Sequence, residues 1–225
     1  MKLHVVSATR RSRDAFWREA ALGLSLRRFA ADDRLVPWIA YENTLGLPEI
    51  YNQVIGAPQA CGAVIFVHDD VWLDDVLFAQ RILDGLLQFD VIGVAGNRRR
   101  VAGQPGWAFV DTRFRWDELS NLSGRVAHGA HSFGRMTDYG PIAQSCELLD
   151  GVLLAARLET LARHDCRFDP RFRFHFYDLD FCRTARLREL RLGTWPIGIT
   201  HQSGGAFGTA SWWQGYSDYI GKWQA

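Results

Sequence analysis

The sequence predicts an α/β protein, with a mostly parallel central sheet flanked by helices in a single domain spanning residues 1–225. Three observations carry this. Short Val- and Ile-rich runs alternate with stretches of helical periodicity through the first half of the chain. The run AVIFV (Ala63 to Val67) is apolar on both faces, as a central strand must be. No repeat, low-complexity tract or linker-like stretch divides the 225 residues.

In order, LHVVSA (Leu3 to Ala8) reads as a first strand. Ser12 to Ala30 reads as one amphipathic helix capped by Ser12, with Phe16, Ala20, Leu24 and Phe29 near helical spacing. LVPWIAY is a second strand, placed at an edge by Pro37. LPEIYNQVIGA is a short helix closed by Gly56 and Pro58. After the central strand, LDDVLFAQRILDGLLQF is a helix and DVIGVAG a fourth strand. Asn97 to Gln144 reads as a long irregular excursion, the kind of insert that carries function. CELLDGVLLAAR holds two short strands around Asp150 and Gly151, followed by a brief helix over Glu159 to His164. A helix from Asp178 to about Leu190, a last strand LGTWPIGITH and an aromatic-rich terminal helix complete the order.

Composition narrows the function. Lys plus Arg (26) nearly cancel Asp plus Glu (25), so no global field favours nucleic acid or anionic membrane. The leading apolar run LHVV is too short for a leader or a membrane span, and a cytoplasmic protein is expected. Cys61, Cys146, Cys166 and Cys182 lack CxxC spacing and are expected to be reduced packing residues. The 9 Trp and 14 Phe exceed ordinary core filling, and Trp107, Trp116, Trp212 and Trp213 could stack on a sugar or simply pack.

The chemistry concentrates in HDD, His68 to Asp70, which falls at the carboxyl end of the central strand, where α/β sheets place their ligand crevice. Adjacent aspartates repel unless a cation or several N–H groups compensate them. Mg²⁺ or Mn²⁺ would do so while sharing its remaining positions with substrate phosphates. The same aspartates also read as the cap of the next helix. Arg98, Arg99 and Arg100 read as a phosphate clamp or as a solvated loop, and His128 and His131 as surface or acceptor-facing residues.

The stretch Gly46 to Leu73, with its helix Asn, turn, apolar strand and acidic triplet, resembles the inverting glycosyltransferases of the GT-A fold. Within them it is similar to the large family two and to a bacterial glycosyltransferase-like group. DVIGVAGNRR, SCELLDGVLLAARLETL, FHFYDLDFCRTARLREL and GITHQSGG match later segments of that group in order, over roughly Lys2 to Gly205. The resemblance implies a Rossmann-like sheet and transfer of a sugar, of the hexosyl type, from a nucleoside diphosphate sugar to an acceptor hydroxyl. That acceptor would be a glycan of bacterial surface polysaccharide biosynthesis, a lipid-linked sugar or a protein.

By this matching Asp70 and His201 hold the divalent metal, and Asp178 is the catalytic base. Asn52, His68 and Asp69 fall among donor contacts, with backbone contacts to the nucleobase from Ser7, Ala8 and Thr9. Asp150, Gly151, Tyr177 and Asp180 fall beside acceptor or donor sugar. His68 stands where the family has an Asp and Tyr177 where it has a Glu. At a helix amino terminus Asp178 is expected to stay ionised, although it also reads as that helix's cap. A metal-dependent nucleotidyl or phosphoryl transferase and a non-catalytic sugar-nucleotide-binding domain are the alternatives.

Overall fold

The computed structural model describes residues 1–57 and 61–224. Strand β1 (Leu3–Ala8) leads into α1 (Arg13–Glu19) and α2 (Ala21–Arg28). The single helix expected over Ser12 to Ala30 is therefore two. Ser12 caps α1 by accepting from the Ala15 N–H, but Ala20 is extended (φ −72°, ψ 138°). Beyond it the Leu22 N–H leaves the helical ladder and donates to the Asp69 carbonyl at 3.1 Å. The break thus docks α2 on the turn that carries the acidic triplet.

Strand β2 (Leu35–Ala40) follows and holds the sheet edge, as Pro37 requires. Helix α3 (Leu47–Ile55) ends at Gly56, while Pro58 lies outside the described residues. Then come β3 (Ala63–Val67), β4 (Val71–Leu73), α4 (Phe78–Gln88), β5 (Val91–Gly93), β6 (Ala95–Asn97), β7 (Leu122–His128) and β8 (Arg135–Gly140). The chain continues through β9 (Ser145–Cys146), β10 (Leu148–Leu149), β11 (Leu153–Arg157), α5 (Leu158–Arg163), α6 (Tyr177–Leu187), β12 (Leu192–Thr194), β13 (Ile199–His201) and α7 (Ala210–Trp223).

These strands form two sheets, ordered β2-β1-β3-β11-β5-β12-β9 and β10-β6-β7-β13-β4, with β8 on β7. The larger sheet is parallel through β2, β1 and β3 and mixed beyond, because β11 runs antiparallel to both β3 and β5. Five of its seven strands, β2, β1, β3, β5 and β12, still run one way, so the sheet is mostly parallel as expected, with β11 and β9 reversed. DVIGVAG and LGTWPIGITH, each expected as one strand, both divide between the two sheets. An apolar run that leaves one sheet for another keeps its hydrophobicity, so composition hides the crossing. The Asn97 to Gln144 excursion likewise contains the regular β7–β8 hairpin, whose β7 pairs with β6 and β13.

Strand β3 explains the layering. Val64 and Phe66 point into one core, with Tyr51, Phe168 and Phe181. Ala63, Ile65 and Val67 point into the other, with Phe16, Phe78 and Leu153. Helices therefore cover both faces, and each fully buried large side chain contributes about 1.5–3 kcal/mol. Phe168 and Phe181 stack at 4.1 Å and 14°, fixing α6 against the sheet. Cys146, Cys166 and Cys182 are buried as expected, whereas Cys61 is exposed. Arg98, Arg99 and Arg100 are exposed, as a solvated loop would be, and Arg99 is bonded at 2.5 Å to the buried Asp117, which Asn97 also holds at 2.9 Å. Among the described residues no helix is long and apolar enough to cross a membrane.

Candidate active site

A cavity of about 720 Å³ opens where the two sheets meet. Its walls come from the carboxyl end of β1 and β3, the β10–β11 turn, the start of α6, and β7, β8 and β13. Backbone hydrogen bonds hold the His68 to Asp70 turn from three directions. The His68 N–H donates to the Val152 carbonyl, Asp69 O accepts from Leu22, and Asp70 O accepts from Gln202. The β13–β4 register pairs His201 with Val71, setting His201 beside Asp70 despite their distance along the chain.

His68, Asp70 and His201 offer one ligand atom each, all within 4.8 Å of one another. Expected as a donor contact, His68 thus joins the candidate metal group. His201 Nε2 lies 3.3 Å from Asp70 Oδ1 and 3.1 Å from Ser203 Oγ. Burial alone would raise the Asp70 carboxyl, but the hydrogen bond and charge of His201 and the charge of His68 hold it at about 2. Burial opposes a charged His201, and Asp70 outweighs that to raise it. Burial lowers His68, favouring the neutral imidazole that ligates metals. The donors fit a divalent cation, and two imidazoles with one carboxylate suit Mn²⁺ and its transition-metal neighbours better than Mg²⁺.

Asp178 lies on the wall of the same cavity. Its Oδ2 accepts from the Gly151 N–H at 3.0 Å and its Oδ1 from the Leu179 N–H at 2.9 Å. Burial first, and then the charge of Asp150, push it up to about 7, against these backbone donors. The expectation that the helix terminus would keep Asp178 firmly ionised is corrected: loss of solvent outweighs the helix field. The residue before Tyr177, Phe176, holds a left-handed conformation at φ +65°, costly for a non-glycine residue. Its ring packs on Trp212, Tyr216 and Tyr219 of α7, which hold it there. That aromatic tail therefore fixes the entry of α6 and the direction of Tyr177 and Asp178.

Ala8, Asp69, Asp150, Gly151 and Tyr177 also line the cavity, as their placement in the sequence suggests. Thr9 instead donates its hydroxyl to Asp69 Oδ2 at 2.6 Å, and its N–H is spent on the Ala40 carbonyl. Ser7 is fully buried within β1, paired in register with Ile39. Neither Ser7 nor Thr9 lines the cavity, so their expected nucleobase contacts are corrected to support of Asp69 and of the sheet. Asn52 is corrected too. Its amide donates to the Phe168 carbonyl at 2.7 Å and accepts from the Phe168 N–H at 3.0 Å, tying α3 to the chain before α6. Asp180 points away from the cavity into a buried ion pair with Lys222 at 2.7 Å, and Trp223 donates to it at 2.9 Å.

Of the remaining wall, the sequence reading names Trp107, Trp116, Trp212 and His128 but misses Tyr139, Phe109, Phe174 and Phe207. Tyr139 and Trp116 stack at 5.9 Å and 11°, with Trp107 edge-on to both. Phe109, Phe174, Phe207 and Trp212 extend this lining, while Trp213 stays outside it. His128 enters the cavity because β7 pairs with β13 in parallel, placing its ring 6.2 Å from that of His201. The missed residues, Tyr139, Phe109, Phe174 and Phe207, have only the abundance of aromatics to signal them.

No protein-family model matches the chain. No curated protein is significantly similar to it. Solved structures do match. GalNAc-T7 with UDP, GalNAc and Mn²⁺ superposes with a TM-score of 0.53 and 10% identity over 98% of this chain and 48% of that one. The catalytic domain of Drosophila β1,4-galactosyltransferase 7 in complex with xylobiose matches with a TM-score of 0.47 and 10% identity, over 86% of this chain and 64% of that one. The mannosyltransferase PcManGT from Pyrobaculum calidifontis in complex with GDP-Man and Mn²⁺ matches with a TM-score of 0.48 and 14% identity, over 97% of this chain and 61% of that one. This chain thus spans between 48% and 64% of the length of these three structures. Its architecture is the GT-A fold, a mixed α/β sheet with flanking helices. At such identities the likeness extends to the fold alone.

Proposed function

We propose that the protein is a divalent-metal-dependent, inverting glycosyltransferase acting on a nucleoside diphosphate sugar. One observation carries this reading: a three-residue metal-ligand group and a carboxylate near neutrality line one cavity of about 720 Å³. The solved neighbour of this fold that holds UDP and Mn²⁺ adds an analogy of fold, not of sequence. By the resemblance to family two and its bacterial group, the acceptor would be a glycan of a surface polysaccharide, a lipid-linked sugar or a protein, handled by one cytoplasmic domain.

In this reading the acceptor hydroxyl oxygen forms a bond to C1 of the sugar as the bond from C1 to the diphosphate breaks. The electron pair leaves with the diphosphate, and a single displacement inverts C1. Asp178 takes the hydroxyl proton onto its carboxylate, an assistance worth about 10²–10⁴ in rate. The Gly151 and Leu179 N–H groups aim that carboxylate. His68, Asp70 and His201 would hold a divalent cation, which would supply Lewis-acid stabilisation at the departing diphosphate. Asp69, fixed by Thr9, is the polar donor contact at the end of β3.

Thermal-shift measurements with nucleoside diphosphates and sugar nucleotides, with and without Mn²⁺, test the reading, because ligands of the native state raise its stability. A metal-dependent rise with one nucleoside diphosphate, and its release on turnover, is expected. Release of pyrophosphate would favour nucleotidyl transfer, binding without turnover a non-catalytic domain, and no nucleotide response with any metal would end the proposal.

A further inference from the structure

The Tyr177 hydroxyl lies 2.8 Å from His68 Nε2 and donates to the Gly151 carbonyl, also at 2.8 Å. A phenol has one proton, so with that proton on Gly151 its oxygen accepts from His68. Nε2 of His68 must then carry the imidazole proton, leaving the lone pair on Nδ1. The opposite arrangement, with Tyr177 donating to Nε2, protonates Nδ1 and leaves His68 unable to ligate a cation. The Gly151 N–H, meanwhile, donates to Asp178. One residue, Gly151, thus orients the proton acceptor through its N–H and, through Tyr177, a metal ligand through its C=O, using the two peptide groups that flank its Cα.

We propose that Tyr177 is a positioning residue that fixes the His68 tautomer for metal binding, and that Gly151, through the peptide groups on either side of its Cα, ties this arrangement to Asp178. This rests on the metal-dependent reading of the same site. Three features make the relay a built one. Tyr177 is buried and His68 partly so, which limits competition from water. Tyr177 packs against Tyr51 and Phe168, so its ring has little freedom. Position 151 has no room for a side chain, since a Cβ there would overlap the Tyr177 hydroxyl and lie 2.8 Å from the Asp178 Cβ. Outer-sphere partners of metal-bound histidine act in this way, setting ring orientation and tautomer.

Mn²⁺ titration followed by electron paramagnetic resonance, together with ¹⁵N NMR of the histidine side chains, tests the proposal on wild type and Tyr177→Phe. The variant keeps the ring and its packing and loses only the hydroxyl. The expected results are an Nε2–H tautomer for His68 in metal-free wild type, loss of that preference in Tyr177→Phe, and Mn²⁺ affinity about 10–100-fold weaker in the variant. Equal Mn²⁺ affinity in both proteins, or an Nδ1–H tautomer in wild type, overturns it. Wild type that shows the Nε2–H tautomer but binds no Mn²⁺ overturns the metal role for a different reason, and so separates failure of the functional reading from failure of the relay. A Gly151→Ala variant that folds, by its circular dichroism, yet disturbs neither Mn²⁺ affinity nor the pH dependence of turnover would remove the link to Asp178.

Discussion

His201 Nε2 stands 3.3 Å from Asp70 Oδ1, an ion pair that joins the last strand of the smaller sheet to the turn leaving the central strand of the larger one. Because protein groups pair with Asp70 themselves, the fold is expected to persist when metal is removed. Chelation should therefore abolish turnover while leaving the far-ultraviolet circular dichroism unchanged. Asp70→Asn should remove the Mn²⁺-dependent part of any nucleotide-induced thermal shift, about 2.7 kcal/mol at a hundredfold excess over Kd. Turnover that survives exhaustive chelation would contradict the ligand assignment.

The proton on Asp178 sets the pH dependence. Its carboxyl is pushed up to about 7 by burial and by Asp150, so below that pH the group is protonated and cannot accept a proton from the acceptor. Turnover should fall about tenfold per pH unit below neutrality and level off above it. Asp178→Asn should lower turnover by about 10²–10⁴ with donor affinity nearly unchanged. A kcat profile flat down to pH 5 would point to another base.

Lys222 and Asp180 form the buried clamp between α7 and α6, with Asp169 also bonded to Lys222 at 2.9 Å. Lys222→Met should destabilise the fold by about 3 kcal/mol, the low end for a broken buried pair, since Asp180 can take up a proton. Burial already raises Asp180 against the pull of Lys222, and loss of the lysine raises it further. A carboxyl whose folded value exceeds its unfolded one loses stabilisation as pH rises through the folded value. The drop in Tm should accordingly be larger at pH 8 than at pH 5, and adding Asp180→Leu should restore part of it.

Asn52 provides a test of the structural assignment against the family expectation. Its paired bonds to Phe168 predict that Asn52→Ala lowers stability by about 1–3 kcal/mol while nucleotide affinity stays as in wild type. Denaturant melts and nucleotide titrations measure the two effects separately. A large fall in affinity at unchanged stability would restore the donor role.

Asp70 was legible because it follows the end of an apolar run, whereas Asp178 and His201 became candidates only through the resemblance of their segments to the glycosyltransferase group. Ser7, Thr9, Asn52 and Asp180 were placed at the site by the same fold and family reasoning, yet their side chains or backbone groups are spent on protein partners. Which way a residue faces at an element's end depends on what packs there, and a single segment does not encode that. Tyr139 and His128 reach the cavity because the β7–β8 hairpin joins the second sheet, and Trp116 stacks on Tyr139 from the preceding loop.

The sequence alone determined the alternation of strands and helices, the burial of β3 and the chain positions of the acidic and imidazole groups, because hydrophobic periodicity is a property of neighbouring residues. The tertiary structure decided that two runs would cross between sheets, that His68 would join Asp70 and His201, and that Asp178 would hold its proton near neutrality. Those outcomes depend on strand register and on the exclusion of water by distant residues, and both exist only once the chain has closed on itself.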